Sequence, residues 1–437
     1  MGNAGFVGLA TITKRRGRVI AVAAGVPIVA LALAIVLLLT LGGGGSNKTP
    51  RGAAIPAQDV VGSIGVNVHL SYLNTTYARF PAIAARLKAL GIHNIRDGAC
   101  PGCVEENQRL AQLGRQGFGI DLIMGDPRGT TGKLPQIIGQ ANQLAPFITS
   151  LEGPNEWDNQ GDPQWAKHLS DYQQQLYKAV KDSDKLRAKP VVGPSFVNPT
   201  SFQKVAPQIE KSFDVANMHS YPPNGSAPAS NIEGELARAA AAAPRKPAYA
   251  TETGYRTGGR PQPGNKPVSP HLAATYLTTL VLEYYRAGVP RTYLYELADE
   301  RHDPKNKNPQ QHFGLLNADL KPKPAYTALR NLVSILSTGG PATGQMQDPA
   351  GALTALDGAP IHTLTMQRGD GSQVMALWLT SPDRKVHPVE LTLDQSQPVQ
   401  IYRPTLARRP QASLPTSTDD RIKLGREPVL VVIPPGA

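Results

Sequence analysis

Two glutamates, Glu156 and Glu252, stand where short apolar runs end, each beside further polar and aromatic residues. Residues 151–158 read LEGPNEWD, and residues 249–255 read YATETGY. Cleaving a glycosidic bond with retention of configuration requires two carboxyl groups, one protonated to donate to the leaving oxygen and one ionised to attack the anomeric carbon. The two motifs therefore predict an acid and a nucleophile, provided that their strands belong to one barrel.

The runs that carry these glutamates belong to a series in which short apolar stretches alternate with longer amphipathic ones. Eight runs are predicted to be buried strands: Ile64–Leu70, His93–Asp97, Gly119–Gly125, Ile148–Gly153, Pro190–Pro194, Phe213–His219, Pro247–Thr251 and Arg291–Leu297. Helical spacing of apolar residues marks Pro81–Leu90, Glu105–Arg115, Trp165–Lys181, Ile232–Ala242, His271–Ala287 and a closing helix at Pro324–Leu336. Eight strand–helix units in about 270 residues match a (β/α)8, or TIM, barrel, which we assign to residues 60–337.

The pattern changes after Ser337, where Gly339, Gly340 and Pro341 interrupt the chain. Alternating runs separated by turn residues then follow: Ile361–Gln367, Gln373–Leu379, Pro388–Leu393, Val399–Tyr402 and Pro428–Ile433. Residues 338–437 are therefore predicted to form a β-sandwich, and the fold class is α/β with this β domain at the C-terminal end.

The N-terminal residues predict the compartment. Residues 1–18 carry four basic side chains, and residues 19–41 form an uncharged apolar stretch about as long as the ~20 residues that span a bilayer. Basic residues favour the cytoplasmic side, so we expect a transmembrane signal-anchor helix with the catalytic domain outside. The alternative is a cleaved signal and a secreted protein. Residues 42–59, rich in Gly, Ser and Pro, are predicted to be a flexible linker.

The chain is basic, with 45 Lys and Arg against 33 Asp and Glu and a net charge of +12. Nucleic acid is not a predicted partner, because no aromatic-plus-basic binding motif accompanies the charge and the domain is expected to face outward. Basic residues follow the seventh and eighth strands and fit either a solvated charged loop or an anionic glycan. They are Arg256, Arg260, Arg301, Lys305 and Lys307.

The chain has two cysteines, in the sequence Cys100-Pro101-Gly102-Cys103. An oxidising exterior favours a local disulfide between them, with free thiols as the alternative. No second Cys or His pair with zinc-ligand spacing lies nearby, and His302, Asp303 and His312 fall on a loop rich in Lys and Asn. We therefore predict neither a metal nor a cofactor.

Polar and aromatic residues gather at the carboxyl ends of the predicted strands, where barrels of this kind carry their chemistry. Arg96 is expected to hold one carboxylate ionised, and burial beside negative charge is expected to raise the pKa of the other carboxyl group. Trp157 and Tyr255 either stack on sugar or fill the rim, and Glu296 either faces the substrate or pairs with an arginine. The predicted substrate-binding set is Asn155, Arg96, His69, Trp157, His219, Tyr221, Tyr255, Tyr295 and Glu296.

The pattern Glu152-x-x-Asn155-Glu156 on the fourth strand, with Glu252 on the seventh, resembles glycoside hydrolase clan A, and most closely its families 39 and 5. The resemblance covers residues 60–336 and extends to the β-sandwich. It implies that Glu156 is the acid/base, that Glu252 is the nucleophile and that Asn155 contacts the sugar 2-hydroxyl. It also implies that Arg96 and Tyr221 support the nucleophile.

One feature departs from the clan, since many members place a tryptophan at the tip of the eighth strand and this chain has Tyr295-Glu296 there. The function predicted from the sequence is that of a retaining glycosidase acting on a cell-envelope or extracellular polysaccharide. A non-catalytic carbohydrate-binding barrel and a transglycosylase are the alternatives, because both would keep the same groove.

Overall fold

The computed structural model describes residues 54–342, 346, 351–382, 385–393, 398–414 and 421–435. The predicted cytoplasmic segment at 1–18, the predicted transmembrane helix at 19–41 and the linker up to residue 53 lie outside the described residues. Within those ranges, no helix combines the length and apolar character needed to cross a bilayer.

Eight parallel strands form the predicted barrel. They are β1 (Ile64–Asn67), β2 (Asn94–Gly98), β3 (Gly119–Ile123), β4 (Ile148–Glu152), β5 (Val191–Val192), β6 (Ala216–His219), β7 (Ala248–Thr253) and β8 (Thr292–Leu294). Each strand pairs with the next in the chain, β8 pairs with β1, and a parallel bridge between Val192 and Val215 joins β5 to β6. Glu156 and Glu252 therefore follow the fourth strand and lie on the seventh, as predicted.

The barrel strands are apolar because helices cover their outer face and side chains fill the inside, so that both faces are buried. All four residues of β1 are buried, for example. Gly65 shows how tightly the interior is filled: a Cβ added there would lie 2.3 Å from Cδ1 of Tyr293. A glycine at this position makes room for the tyrosine ring.

A helix follows each strand. The eight are α1 (Phe80–Leu90), α2 (Val104–Arg115), α3 (Leu134–Leu144), α4 (Trp165–Asp182), α5 (Ser201–Ile209), α6 (Ala229–Ala242), α7 (Pro270–Arg286) and α8 (Pro324–Leu336). The sequence patterns indicated six of these helices, and the structure adds α3 and α5. These helices leave the carboxyl ends of the strands open on one face of the barrel, where the loops gather.

The C-terminal residues form two antiparallel sheets, as predicted. The strands are β9 (Gly351–Ala355), β10 (Ile361–Gln367), β11 (Gln373–Leu379), β12 (His387–Leu393), β13 (Val399–Tyr402), β14 (Ala412–Leu414), β15 (Arg421–Leu424) and β16 (Val429–Ile433). One sheet has the order β10-β11-β16-β13-β14 and the other β9-β12-β15. Buried side chains from both sheets, such as Leu353, Leu377 and Val431, form their common core.

The end of the predicted linker is not a tether. Ile55–Pro56 adds a parallel strand to the edge of the larger sheet, with Ile55 opposite Met366 and Pro56 opposite Gln367. A short helix, Ala57–Ser63, follows at once and leads into β1. The linker predicted to end at residue 59 was wrong for residues 55–59, because Ile55 and Pro56 pair with residues some 300 positions away and residues 57–59 belong to a helix.

One buried carboxylate joins the barrel to the sandwich. Glu283 on α7 is fully buried and accepts a hydrogen bond from Nε1 of Trp378 on β11 at 2.6 Å. The same oxygen lies 2.8 Å from Nδ1 of His362 on β10, and Arg286 bonds the other oxygen. Burial alone raises the pKa of Glu283, but His362 and Arg286 lower it below its ordinary value, so the group is held as a carboxylate.

Candidate active site

Arg96 on β2 forms the floor of the open face of the barrel. Its guanidinium bonds both oxygens of Glu152 at 2.6 and 2.7 Å. It also donates at 2.7 Å to Oδ1 of Asn67, to Oε1 of Glu252 and to Oδ1 of Asn155. Burial lowers the pKa of Arg96, but the carboxylates of Glu152 and Glu252 raise it well above its usual range. The arginine is therefore a fixed cation that orients four side chains at once.

Glu252, at the end of β7, is held by two donors. Arg96 bonds its Oε1, and Oη of Tyr221 donates to its Oε2 at 2.8 Å. The residue is 9% exposed. Two donors, one on each carboxylate oxygen, fix the orientation of the group, as attack on a bound sugar requires. The structure confirms the placement of Arg96 and Tyr221 beside Glu252 that the resemblance implied.

Glu156 lies just past the end of β4, with φ 47° and ψ 42° in the left-handed region. Residues other than glycine rarely adopt this conformation, and here the Glu156 N–H donates to Oγ of Ser195 at 3.2 Å. The carboxylate oxygen Oε1 is 2.8 Å from Nδ1 of His219. With 28% of its side chain exposed, Glu156 is the more accessible of the two glutamates.

The electrostatics of Glu156 differ from the prediction. Burial raises the pKa of Glu156, but the hydrogen bond and charge of His219 outweigh it and lower the pKa below its ordinary 4.5. The predicted rise was wrong because it counted burial and the neighbouring carboxylate and left out the imidazole.

His219 carries the complementary shift. Its Nδ1 lies 2.8 Å from Glu156 and 3.6 Å from Glu252, and its side chain is 2% exposed. Burial alone would lower the pKa of His219. The carboxylates of Glu252 and Glu156 raise it by more than burial lowers it, so the pKa of His219 lies above its ordinary 6.5. Glu156 and His219 therefore act as a pair that retains one proton at pH values where an isolated glutamate would have lost it.

The two glutamates are close together. One carboxylate oxygen from Glu156, one from Glu252 and a ring nitrogen of His219 all lie within 4.8 Å of one another. This places the carboxyl groups near the separation of about 5–5.5 Å that goes with retention of configuration. An inverting pair needs about 6.5–9.5 Å, to admit a water molecule between carboxylate and sugar.

The tip of β8 forms one wall of the site. Glu296 is fully buried, accepts from Oη of Tyr77 at 3.1 Å and lies 3.3 Å from Nε2 of His69. Burial raises its pKa to about 7. Of the two roles open for Glu296, facing substrate or pairing with an arginine, the structure shows neither: it positions His69, whose ring packs edge-on against Tyr295.

These residues surround a cleft of about 810 Å³. His69, Arg96, Asn155, Tyr221 and Tyr295 line it, together with both glutamates. The rest of its polar lining comes from Asp97 on β2 and from loop residues that the sequence patterns did not indicate: Ser71, Tyr72, Thr131, Gln262, Asn265, Asn308 and Gln310. Cys100 and Cys103 also line the cleft and are joined by a disulfide, as the sequence predicted.

Four predicted substrate contacts do not line this cleft: His219 and Glu296, described above, and the two aromatic residues Trp157 and Tyr255. Trp157 is 3% exposed, and its Nε1 donates to Asp162. Tyr255 is 4% exposed, and its Oη donates to the carbonyl of Ser226. Of the two roles left open for them, the structure supports filling of the rim, because both polar atoms are bonded inside the protein.

The chain offers three groups of ligand-type side chains whose atoms approach within 4.8 Å in its described part: Cys100–Cys103–Glu106, His69–Glu296–Glu300 and Glu156–His219–Glu252. In each group, at least one of the possible ligand residues is already bonded to another protein atom. The sulfurs are bonded to each other, Glu296 accepts from Tyr77, and Arg96 and Tyr221 hold Glu252.

No family model matches the sequence, and no curated protein matches it either. The fold is nevertheless known among solved structures. A family 39 glycoside hydrolase from the gut symbiont Bacteroides cellulosilyticus WH2 shares it, with a TM-score of 0.60 and 16% identity over 87% of this chain and 82% of that one.

Two further solved structures are similar over both domains. A GH39 enzyme from Xanthomonas axonopodis pv. citri has a TM-score of 0.56 and 14% identity, over 88% of this chain and 96% of that chain. A monomeric β-xylosidase from Caulobacter crescentus CB15 has a TM-score of 0.56 and 15% identity, over 89% and 98%. The fold expected from the resemblance to clan A is thereby confirmed.

Proposed function

We propose that this protein is a retaining glycoside hydrolase. The observation that carries the proposal is the approach of Glu156 and Glu252 to within 4.8 Å, with different partners on each. Glu252 is held in place by Arg96 and Tyr221, whereas Glu156 shares a contact with a histidine that can supply a proton. The fold shared with family 39 enzymes supports the same reaction class.

The reaction proceeds by double displacement. A carboxylate oxygen of Glu252 forms a bond to the anomeric carbon as the glycosidic C–O bond breaks, and Glu156 delivers its proton to the leaving oxygen. Glu156, now ionised, removes a proton from water, whose oxygen attacks the anomeric carbon and releases Glu252. This step leaves Glu156 protonated and Glu252 ionised again, so the site is restored.

Asn155 completes the sugar-binding floor. Its Oδ1 accepts from Arg96 at 2.7 Å and from Ser195 at 3.3 Å, which leaves the amide NH₂ as the group available to a ligand. Since Asn155 lines the same cleft as the two glutamates, we assign this NH₂ to a sugar hydroxyl next to the anomeric centre.

We further propose that the substrate is a polysaccharide of the cell envelope or extracellular space, and that the barrel acts outside the cytoplasm. The four basic side chains within residues 1–18 and the apolar residues 19–41 support a membrane anchor. The Cys100–Cys103 disulfide supports an oxidising compartment. Protease accessibility of the barrel in intact cells, followed by membrane fractionation, tests this. A protease-protected barrel in the cytosolic fraction would refute it.

The catalytic proposal is tested with Glu156→Gln and Glu252→Gln. Each should lower kcat by orders of magnitude, because one carboxyl of an interdependent pair is lost. Exposed Glu233, which lies outside the cleft, provides the matched control Glu233→Gln, with unchanged activity. If wild type binds glycans and releases no sugar from any, the binding-barrel alternative holds, and products longer than the substrate would indicate a transglycosylase.

Retention has its own readout. On a substrate with a good leaving group, Glu156→Gln should form the glycosyl-enzyme normally and hydrolyse it slowly, since water loses its base. Mass spectrometry should then find the sugar on a peptide containing Glu252. Inverted configuration in the first product formed, measured by NMR, would exclude double displacement.

A further inference from the structure

The cation in the cleft has no donor left for a ligand. A guanidinium has five N–H groups, and Arg96 directs all five at protein oxygens: one from Nε to Glu152, two from Nη1 to Asn67 and Glu252, and two from Nη2 to Glu152 and Asn155. At 2% exposure, the side chain is also closed off. Arg96 therefore cannot form the bidentate pair by which arginines recognise a substrate carboxylate.

The remaining charge of the lining is negative. Asp97, Glu156 and Glu252 line the cleft. The other basic side chain among the described lining residues is His69, which already faces buried Glu296 at 3.3 Å. An anionic sugar would thus meet three carboxyl groups and no uncommitted cation.

The basic residues on the loops after β7 and β8 do not line the cleft. Arg256 is buried and bonds its own loop through Asn265 and the Gly258 carbonyl. Arg260, Arg301, Lys305 and Lys307 are exposed and do not line the cleft. The one-sided basic loops that made an anionic glycan attractive in the sequence therefore do not supply a binding site for one.

The rim is built instead from neutral polar groups. Gln262, Asn265, Asn308 and Gln310 line the cleft mouth. The Oδ1 of Asn265 accepts from Arg256, and the Oδ1 of Asn308 accepts from the Gln310 N–H, so both amides keep their NH₂ donors. Primary amides donate and accept without charge, which matches sugar hydroxyls, and the rings of Tyr295 and Phe313 supply apolar faces.

Building on the proposed hydrolase function, we propose that the cleft takes an uncharged stretch of glycan and rejects units that carry a carboxylate, sulfate or phosphate. A carboxylate placed beside Glu252 would leave its charge unpaired and facing a like charge. Like charges placed close together in a binding site strongly disfavour the ligand that brings the second charge. We expect discrimination of about 100-fold or more in kcat/KM.

Matched substrates test the proposal. The first pairs are polyuronates and their carboxyl-reduced forms, which differ only by a carboxylate in place of a hydroxymethyl group. Aryl glucuronides and aryl glucosides differ in the same way, and both are used as the α and the β anomer. The neutral member of every cleaved pair should have the higher kcat/KM, and a preference for any uronate member would overturn the proposal. If no pair is cleaved, the affinity of the intact protein for the same pairs decides the charge of its ligand, and a tighter uronate member overturns the proposal, whereas the hydrolase function stands or falls by its own test on other glycans.

The basic loops give an independent control. In the variant Arg260→Gln/Lys305→Gln/Lys307→Gln, kcat/KM on the neutral and on the uronate member of a pair should stay within about twofold of wild type, and raising the salt from about 20 to about 200 mM should lower neither value in either protein. A loss of tenfold or more, reproduced in wild type by added salt, would mean that these residues attract an anionic substrate and would overturn the proposal.

Discussion

The pairing of His219 with Glu156 makes a prediction about pH dependence. In wild type the catalytic proton belongs to the pair, so the basic limb of the kcat/KM profile is set by its loss from His219, whose pKa is raised above the ordinary 6.5. In His219→Gln the proton must stay on Glu156 alone. Because Gln carries no charge, it removes the contact that lowers the pKa of Glu156.

The size of the shift follows from those pKa values. Glutamate has an ordinary pKa of 4.5, and burial of Glu156 raises it, whereas the limb it replaces lies above 6.5. We therefore expect the basic limb to move to lower pH by about one unit or more. The shift is toward lower pH because the charge of Arg96 still lowers the pKa of Glu156 in the variant, whereas two carboxylates raise the pKa of His219 in wild type.

Initial rates on a neutral aryl glycoside between pH 4 and 9 measure the effect. Tyr221→Phe is the matched control, because it removes a donor to Glu252 and leaves the Glu156–His219 contact in place, so its basic limb should coincide with that of wild type. A basic limb unmoved in His219→Gln, or moved to higher pH, would refute the shared-proton reasoning.

Three further predictions concern stability. Glu106 is 1% exposed, and burial raises its pKa to about 10. The contribution of this group to wild-type stability should therefore fall as pH rises from 4.5 toward 10, and Glu106→Gln removes that pH-dependent loss. At pH 7, urea unfolding should show Glu106→Gln to be more stable than wild type by about 3 kcal/mol. Glu283→Gln should cost about 1–3 kcal/mol, because Trp378 loses a charged acceptor, and this loss should disappear in acid, where wild-type Glu283 is protonated too. Deleting residues 1–63 should lower Tm clearly relative to deletion of residues 1–53, since it removes the strand and helix that pack on the fold; equal Tm values would contradict this packing.

The barrel was predictable because its signal is local. Parallel strands buried on both faces appear as short apolar runs, and eight of them can be counted. Helix α5 was missed because it has nine residues and an internal Pro207, too short a stretch for periodicity to show. The strand Ile55–Pro56 carries no local signal at all, since pairing with Met366 and Gln367 defines it.

The site was predictable in its residues but not in their protonation. Strand counting brought Glu156, Glu252, Arg96 and Tyr221 to one face because the carboxyl ends of barrel strands converge. The direction of the Glu156 pKa depends on a distance of 2.8 Å to His219, which no sequence pattern contains. Likewise, whether an aromatic at the rim faces the cleft depends on where its polar atom finds a partner.

The pairing of Ile55 with Met366 also bears on how the protein is made. These residues are 311 positions apart, so at roughly 5–20 residues per second the ribosome needs roughly 15–60 s to reach the second after the first. The barrel can form in that interval, but the edge strand must wait for its partner. Chains truncated between residues 337 and 360 should consequently expose this strand, which makes full-length synthesis a requirement for hiding it from proteases and from other chains.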